Sequence, residues 1–412
     1  MDLVRSHGVP VPQVYSYSVN GGNSVGAEYI IMEKVSGRTL GDQWYDLSEK
    51  ERIRVLSDIV AIEAKLFAID LPASGSVYYE RDLPEGVARV PINTEDSPAD
   101  INPAHVLQAA AEKESKWLRK YGRPRYPVDR VYREFIGYQK SQPQEHLENL
   151  ERYLQTAPHL VPAEVWLHKP TLRHPDLQPN NIFVSEKFSI TGLIDWQHCS
   201  VRPLFLCAGI PNYLQNYGDA DSENLIEPSL PENLADMNED DRGFALEQFR
   251  RRQLHFYYLA ATATMNKSHL HACMYESGLF RRKIFDHAGE PWEGNNIPLK
   301  ADLVRLAQHW PQLVNPDVSA ERRPVCPIAF TEEEIKECLS IAEQQDAADT
   351  TLENLRGFIG ISTDGWVSND RYDHAVAQAA LMKERVMEYA ENDFEREMTE
   401  AHWPFDDHDE KE

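Results

Sequence analysis

The 412-residue sequence predicts an α+β fold in which a small strand-bearing start feeds a large, mainly helical body. Three observations carry that reading. Two apolar runs, Val9–Val19 and Ala27–Val35, are rich in Val, Ile and Tyr and are joined by the turn residues Asn20-Gly21-Gly22-Asn23. Beyond residue 50, apolar residues recur at helical spacing through much of the chain. Short strand-like runs return at 164–195, around a loop that Pro175 and Pro179 keep from becoming a helix.

In chain order, Gly37 and Gly41 end the first strand pattern. Ser48 and Glu51 then have the spacing of a capping box, ahead of Ile53, Leu56, Ile59, Val60 and Phe67 on one helix face. Residues 72–103, rich in Pro, Gly and polar side chains, read as loop. Residues 104–120 and 128–156 read as helices separated by Gly122-Arg123-Pro124. An acidic loop is expected at 217–242, and helices at 243–266 and 299–309. Thr331 with Glu334 caps a helix to about 355, and Asn369 caps another over 370–392. The stretch Asp406–Glu412 reads as a loose acidic tail. No internal repeat of fixed period is present.

Composition narrows the function classes. With 42% hydrophobic, 26% charged and 10% aromatic residues, the chain can bury one large core or two smaller ones, and low-complexity disorder is excluded. The longest nearly apolar stretch, Leu254–Met265, is too short for a bilayer and contains His and Thr. A net charge of −25, from 42 basic and 67 acidic residues, argues against nucleic acid and anionic membrane as partners. A solvated acidic surface accounts for that charge, and the same field would favour a cationic substrate. Cys199, Cys207, Cys273, Cys326 and Cys338 are odd in number and widely spaced, which suits a reducing, intracellular compartment. Residues 1–30 have no signal-peptide core and, with one Arg and no Lys, make a poor transit peptide.

The informative stretch is Leu172-Arg173-His174-Pro175-Asp176-Leu177-Gln178-Pro179-Asn180-Asn181-Ile182-Phe183-Val184, ending at Leu193-Ile194-Asp195-Trp196. Ile182–Ser185 and Ser189–Ile194 outline a hairpin, whose two ends meet, so Asn181 at its entrance lies near Asp195 at its exit. Asp176, five residues before Asn181, points into the same space. Mg²⁺ is a hard cation that takes a carboxylate and an amide oxygen together with water and phosphate oxygens, while a second carboxylate can orient and deprotonate an attacking hydroxyl. The predicted roles are Asp176 as base, Asn181 and Asp195 as metal ligands, and His174 as a brace of the loop. A polar loop with Asp and Asn as turn formers is the alternative reading of the same residues.

The pattern H-x-D-x-x-x-x-N followed by I-D-W resembles the aminoglycoside phosphotransferase and choline kinase-like group, relatives of the protein kinases. Ile194-Asp195-Trp196-Gln197-His198, Pro203-Leu204-Phe205, Asp286–Gly294 and Gly365-Trp366-Val367-Ser368-Asn369 are similar to a fungal branch grouped under "altered inheritance of mitochondria". The resemblance implies a protein kinase-like two-lobe fold with a truncated N-terminal lobe and a large helical C-terminal lobe. It assigns residues 1–36 to the remnant of the small lobe and its hinge, 37–400 to the large lobe, and 401–412 to an acidic tail. It further implies ATP and Mg²⁺ as cofactors, a hydroxyl-bearing small molecule as acceptor, and, through the branch name alone, a mitochondrial location. Tyr29–Gly37 would be the last small-lobe strand and hinge, with Met32, Glu33 and Val35 at the adenine. The Glu33 carbonyl and Val35 amide would make the hydrogen bonds. Without the resemblance, Tyr29–Val35 reads as a buried strand.

Residues ahead of this hinge contain no lysine, and the Gly21, Gly22 and Gly26 turn reads as a hairpin loop, not a phosphate loop. Phosphate positioning is therefore expected to be weak and turnover by this chain slow, which leaves a non-catalytic pseudokinase scaffold as the competing class. The remaining motifs carry less. His269, His271 and Cys273 read as helix residues, since on a helix His271 points away from the other two. Phe249, Phe256, Tyr257 and Tyr258 read as core. Arg250-Arg251-Arg252 and Arg281-Arg282-Lys283 read as solvated faces or local ion pairs, and Asp286 and His287 as part of a turn. No G-x-S-x-G or comparable nucleophile context occurs, and the further His and Asp ligands of a metal phosphoesterase are not evident.

Overall fold

In the computed structural model of the chain, which describes residues 1–83, 85–87, 90–92, 102–314, 324–361, 367 and 371–406, both predicted capping boxes form. Ser48 accepts the Glu51 N–H and Glu51 reaches back to the Ser48 N–H at 2.9 Å; Thr331 and Glu334 do the same at 2.8 Å. Each box satisfies two amide donors that a helix start otherwise leaves open.

The chain begins with α1 (Asp2–Ser6), β1 (Val14–Ser18), β2 (Tyr29–Met32), β3 (Arg38–Thr39), α2 (Glu49–Phe67), α3 (Pro103–Tyr121) and α4 (Pro143–Thr156). It continues through β4 (Pro170–Leu172), β5 (Ile182–Val184), β6 (Ile190–Leu193), β7 (Val201–Pro203), α5 (Leu204–Cys207), α6 (Ala220–Glu223), α7 (Glu239–Met265) and α8 (Lys267–Cys273). It closes with α9 (Gly278–Gly289), α10 (Ile297–Gln308), α11 (Trp310–Leu313), α12 (Glu332–Ile359), α13 (Tyr372–Glu388) and α14 (Asp393–His402). The α+β class and the mainly helical body are as the sequence predicts. Among the described residues the strands form three small antiparallel sheets, β1–β2, β3–β5–β6 and β4–β7.

Two compact units form, and they do not follow chain order. Met1–Val106 with Pro162–Arg282 make the first; Leu107–Val161 with Lys283–Glu412 make the second. Residues 29–37 and the β5–β6 hairpin therefore share a unit. Its core is the apolar face of α2 (Val55, Leu56, Ile59, Val60, Leu66) with Leu254 and Tyr258 of α7 and the hairpin residues Ile182, Val184 and Leu193, all buried. In the second unit, Ala301 and Val304 of α10 pack on Cys338 and Ala342 of α12.

Residues 35–41 meet the 180–192 segment at three close approaches. Gly37 sits at φ 107, and a Cβ there would lie 2.3 Å from the Val184 carbonyl oxygen. Val35 lies over Gly192, where a Cβ would come within 2.6 Å of its Cγ1, and a Cβ on Gly41 would lie 1.9 Å from Asn180 Oδ1. Gly37→Ala combines a left-handed backbone with a steric clash, and is expected to lower stability by about 2–4 kcal/mol in urea denaturation. A loss below about 0.5 kcal/mol, the range of an ordinary surface change, would contradict this close approach.

Several expectations are corrected. The helix expected over 128–156 forms only from Pro143. Residues 130–132 and 134–136 are single 3₁₀ turns, and Gly137 and Tyr138 follow at φ 62 and 54, so the chain breaks before Pro143 starts α4 afresh. Asp286 and His287 lie inside α9 rather than in a turn, and His287 Nδ1 meets buried Asp302 at 2.8 Å. His269, His271 and Cys273 do lie on a helix, α8, and Asn266 caps it by accepting the His269 N–H. Arg281 and Arg282 are buried, whereas Arg250 and Arg251 pair with Glu247 and Arg252 pairs with Asp219 and Asp221. Tyr258 is core, but Phe249, Phe256 and Tyr257 are only half-buried. Asp406 is no loose end: Lys383 Nζ lies 2.5 Å from its carboxylate and Arg130 donates to its carbonyl at 2.9 Å. Asn369 as a cap, the Gly365–Asn369 motif apart from Val367, and the rest of the expected tail lie outside the described residues.

Among the described residues the buried His146 of α4 has no hydrogen-bond partner on either ring nitrogen, and it stacks on Trp292 at 6.4 Å. Burial, then the nearby His287, lowers its pKa from 6.5 to about 4. The folded state binds this proton less readily than the unfolded chain. Its contribution is thus fully present above pH 6.5 and is lost as pH falls toward 4, on the order of 3 kcal/mol. His146→Phe is expected to flatten that part of the urea stability–pH profile; an unchanged profile would assign the acid loss to other groups.

Candidate functional site

The His174–Asn181 loop leaves β4 at Arg173 and enters β5 after a 3₁₀ turn at Pro179–Asn181. β5 and β6 pair with Ile182 opposite Leu193, and the Ile194 N–H donates to the Asn181 carbonyl at 3.0 Å. The hairpin therefore brings Asn181 beside the Ile194–Asp195 peptide, as the apolar runs on either side of Glu186-Lys187 imply. Asp195 follows at φ 63, a left-handed position, with its side chain exposed.

Asp176 and Asn181 are in direct contact. Asn181 Nδ2 donates to the Asp176 carbonyl and to its Oδ2, both at 2.9 Å. Gln178 Nε2 donates to the same Oδ2 at 2.7 Å. Both side-chain bonds fall on one carboxylate oxygen, so Oδ1 of the exposed Asp176 is left for another partner. With its nitrogen committed to Asp176, the buried Asn181 amide keeps its oxygen as the atom able to meet a cation.

His174 is buried and bridges the two halves of the site. Its Nδ1 accepts the Asp176 N–H at 3.2 Å, so Nε2 carries the proton and donates to the Ile194 carbonyl at 2.8 Å. Burial holds its pKa below the ordinary imidazole value, against the opposing pull of the Ile194 carbonyl and of Asp176 and Asp195. The Trp196 ring meets it edge-on at 4.6 Å, and Trp196 Nε1 donates to the Leu193 carbonyl at 3.2 Å.

Met32, Glu33 and Val35 stand on the same unit. Glu33 N–H donates to the Gln13 carbonyl at 2.8 Å, and its carboxylate accepts from Gln13 N–H at 3.1 Å and from Arg5 at 3.5 Å. The Gln13 amide, then Arg5, lower the Glu33 pKa. Among the described residues, neither the Glu33 carbonyl nor the Val35 amide enters a backbone hydrogen bond. Tyr29–Met32 is a strand, but not the buried one its apolar run suggests. Ile30, Ile31 and Met32 are 48%, 54% and 40% exposed, because β2 pairs only with β1.

Among the described residues no three His, Cys, Asp or Glu side chains are grouped to hold a metal, so a cation here depends on the Asn181 amide oxygen as well as carboxylates. That donor set is the hard oxygen chemistry Mg²⁺ accepts. His269 is buried and His271 exposed on α8, as their spacing predicts. All five cysteines are free, and burial pushes the Cys199, Cys207 and Cys273 thiols up to about 11.

Gln178 and Arg173 escaped the sequence reading. Gln178 lies two residues from Asp176 inside the motif and passed as filler. Arg173 had a legible partner: Glu63 occupies the buried face of α2 with Ile59, Val60 and Phe67, and a carboxylate at such a position calls for a cation.

Residues 1–205 match the family described as phosphotransferase enzymes. The chain is 27% identical to the subtelomeric hrmA-associated cluster protein of Aspergillus fumigatus, over 99% of this chain and 88% of that protein. It is 23% identical to the mitochondrial protein "altered inheritance of mitochondria protein 9" of Lachancea thermotolerans, over 93% of this chain and 67% of that one. Among solved structures, a ternary complex of APH(2")-IIa with streptomycin and ATP aligns over 74% of this chain and 78% of that chain, at 17% identity and a TM-score of 0.32. So low a score adds nothing to the sequence matches. Residues 1–205, which carry Tyr29–Gly37 and the His174–Asp195 loop, belong to the phosphotransferase enzyme family, and the chain has that family's kinase-like fold on a fungal branch with the altered-inheritance proteins.

Proposed function

We propose that the site binds ATP with Mg²⁺ and directs phosphoryl transfer to a hydroxyl of a small molecule, with a cationic acceptor favoured by the chain's net charge of −25. The observation that carries this reading is the Asp176–Asn181 contact, which frees the amide oxygen for a metal and one carboxylate oxygen for a hydroxyl. Asn181 and Asp195 would hold the cation, whose charge would offset that of the phosphate oxygens. Asp176 would orient and accept the proton of the acceptor hydroxyl, and His174 would keep the loop against Ile194. Met32, Glu33 and Val35 would face the adenine, with the Glu33 carbonyl and Val35 amide as partners.

Calorimetric titration with ATP tests the site. Affinity is expected to rise when Mg²⁺ is added, and Asp195→Ala is expected to lose that rise while retaining its melting temperature. ATP binding indifferent to Mg²⁺, or absent, would sink the proposal.

A second reading, a nucleotide-binding scaffold without useful turnover, is favoured by a specific observation. Arg5, the one Lys or Arg among residues 1–30, is engaged by Glu33 and the Val11 carbonyl and is not free for phosphate. The mitochondrial naming of the yeast relatives supports that organelle as the expected location, to be checked by fractionation of the native protein.

A further inference from the structure

Arg173 stands between β4 and His174, and its side chain runs into the interior instead of toward the loop it precedes. Nε donates to Glu63 Oε1 at 2.8 Å, Nη1 to the Cys207 carbonyl at 2.9 Å, and Nη2 to the Gly209 carbonyl at 2.8 Å and the Tyr258 hydroxyl at 3.2 Å. The Tyr258 hydroxyl in turn donates to Glu63 Oε2 at 2.6 Å, which closes a ring of three side chains. Glu63 and Tyr258 are wholly buried, on α2 and α7. The Cys199 thiol donates to the carbonyl of Arg173 itself at 3.4 Å, and His269 Nε2 of α8 also lies 3.1 Å from the Gly209 carbonyl.

Two consecutive residues therefore fasten the loop in two directions. Arg173 ties its first peptide to α2, α7 and the 207–209 segment; His174 ties the next to the hairpin end at Ile194. Asp176 follows two residues later and has no comparable anchor into the core. A buried ion pair is a poor general source of stability, because desolvation offsets its attraction and apolar side chains of the same volume often do as well. Its charge-assisted bonds do impose direction, which apolar packing lacks.

We propose that Arg173, with Glu63 and Tyr258, is the positioning device of the catalytic loop. It sets where residues 174–181 sit and thereby where Asp176 and Asn181 are presented. The inference rests on the phosphotransfer reading only for the loop's purpose; the placement itself can be read without nucleotide.

The test compares wild type, the charge-free pair Glu63→Leu/Arg173→Met, and the mild Tyr258→Phe by thermal melting, amide hydrogen exchange and ¹⁵N NMR of the His174 ring. The double variant is expected to fold cooperatively, yet to lose exchange protection across 174–182 and the shielded His174 Nε2–H signal. Tyr258→Phe should show the same loss in smaller degree with its melting temperature nearly unchanged. Should the double variant fail to fold, Tyr258→Phe decides. Unchanged protection and an unchanged His174 signal in a folded variant would overturn the proposal and leave the ring a structural cross-link. Mg²⁺-dependent ATP binding of the wild type is measured separately. Its absence, beside a loosened loop in the variants, would remove the phosphotransfer reading and leave the positioning role standing.

Discussion

Glu63→Leu alone is expected to reduce folding stability by about 3–5 kcal/mol, the usual consequence of stranding one member of a buried ion pair. The side chain volume is nearly kept, so the loss comes from charge and hydrogen bonding instead of a cavity. Arg173 would retain its bonds to the Cys207 and Gly209 carbonyls but no counter-charge, and the Tyr258 hydroxyl would lose its acceptor. Against a typical total of about 5–15 kcal/mol, such a loss brings the first unit close to unfolding at moderate temperature. Urea denaturation checks it. Adding Arg173→Met should recover part of the loss, because the stranded charge goes with it. A single variant within about 1 kcal/mol of wild type would mean that water or another group takes over from Glu63.

Asp176→Ala is expected to have the largest effect on chemistry. Positioned general-base catalysis contributes about 10²–10⁴-fold, and any transfer this chain supports should fall by that factor. The assay is incubation with labelled ATP with the background subtracted. ATP affinity in the presence of Mg²⁺ should change little, because Asp176 is assigned to the acceptor side and not to the metal. The substitution also removes the partner of Asn181 Nδ2 and Gln178 Nε2, so Asp176→Asn is the companion variant that keeps an oxygen at Oδ2. Loss of transfer in both variants, with Mg²⁺-dependent binding kept, is the expected pattern. Transfer at wild-type rates in Asp176→Ala would place the base elsewhere.

Much of the loop-and-hairpin geometry was legible because it is local. Asp176, Asn181 and Asp195 are joined by one short loop and one tight hairpin, and antiparallel pairing alone brings the ends of such a hairpin together. Capping at Ser48 and Thr331 was legible for the same reason, since each box spans four residues. The break before Pro143 was harder. The chain from 128 to 142 has helix-like apolar spacing, and only the left-handed Gly137 and Tyr138 end it. The end of α9 was hidden by its own boundary, for Gly289 beside Asp286 and His287 reads as a turn signal although it closes the helix.

The sequence by itself determined the α+β class and the loop and hairpin that hold Asp176, Asn181 and Asp195. Those are properties of residue type and of spacing over a few positions. Only the tertiary structure decided that Arg173 reaches Glu63 and Tyr258, 110 and 85 positions away, and that Val35 rests on Gly192. It also decided that β2 is exposed, because a strand's burial depends on what packs against it and its own apolar run cannot say. Long-range partners depend on how distant segments pack, and a residue's type says only that a buried charge requires a partner.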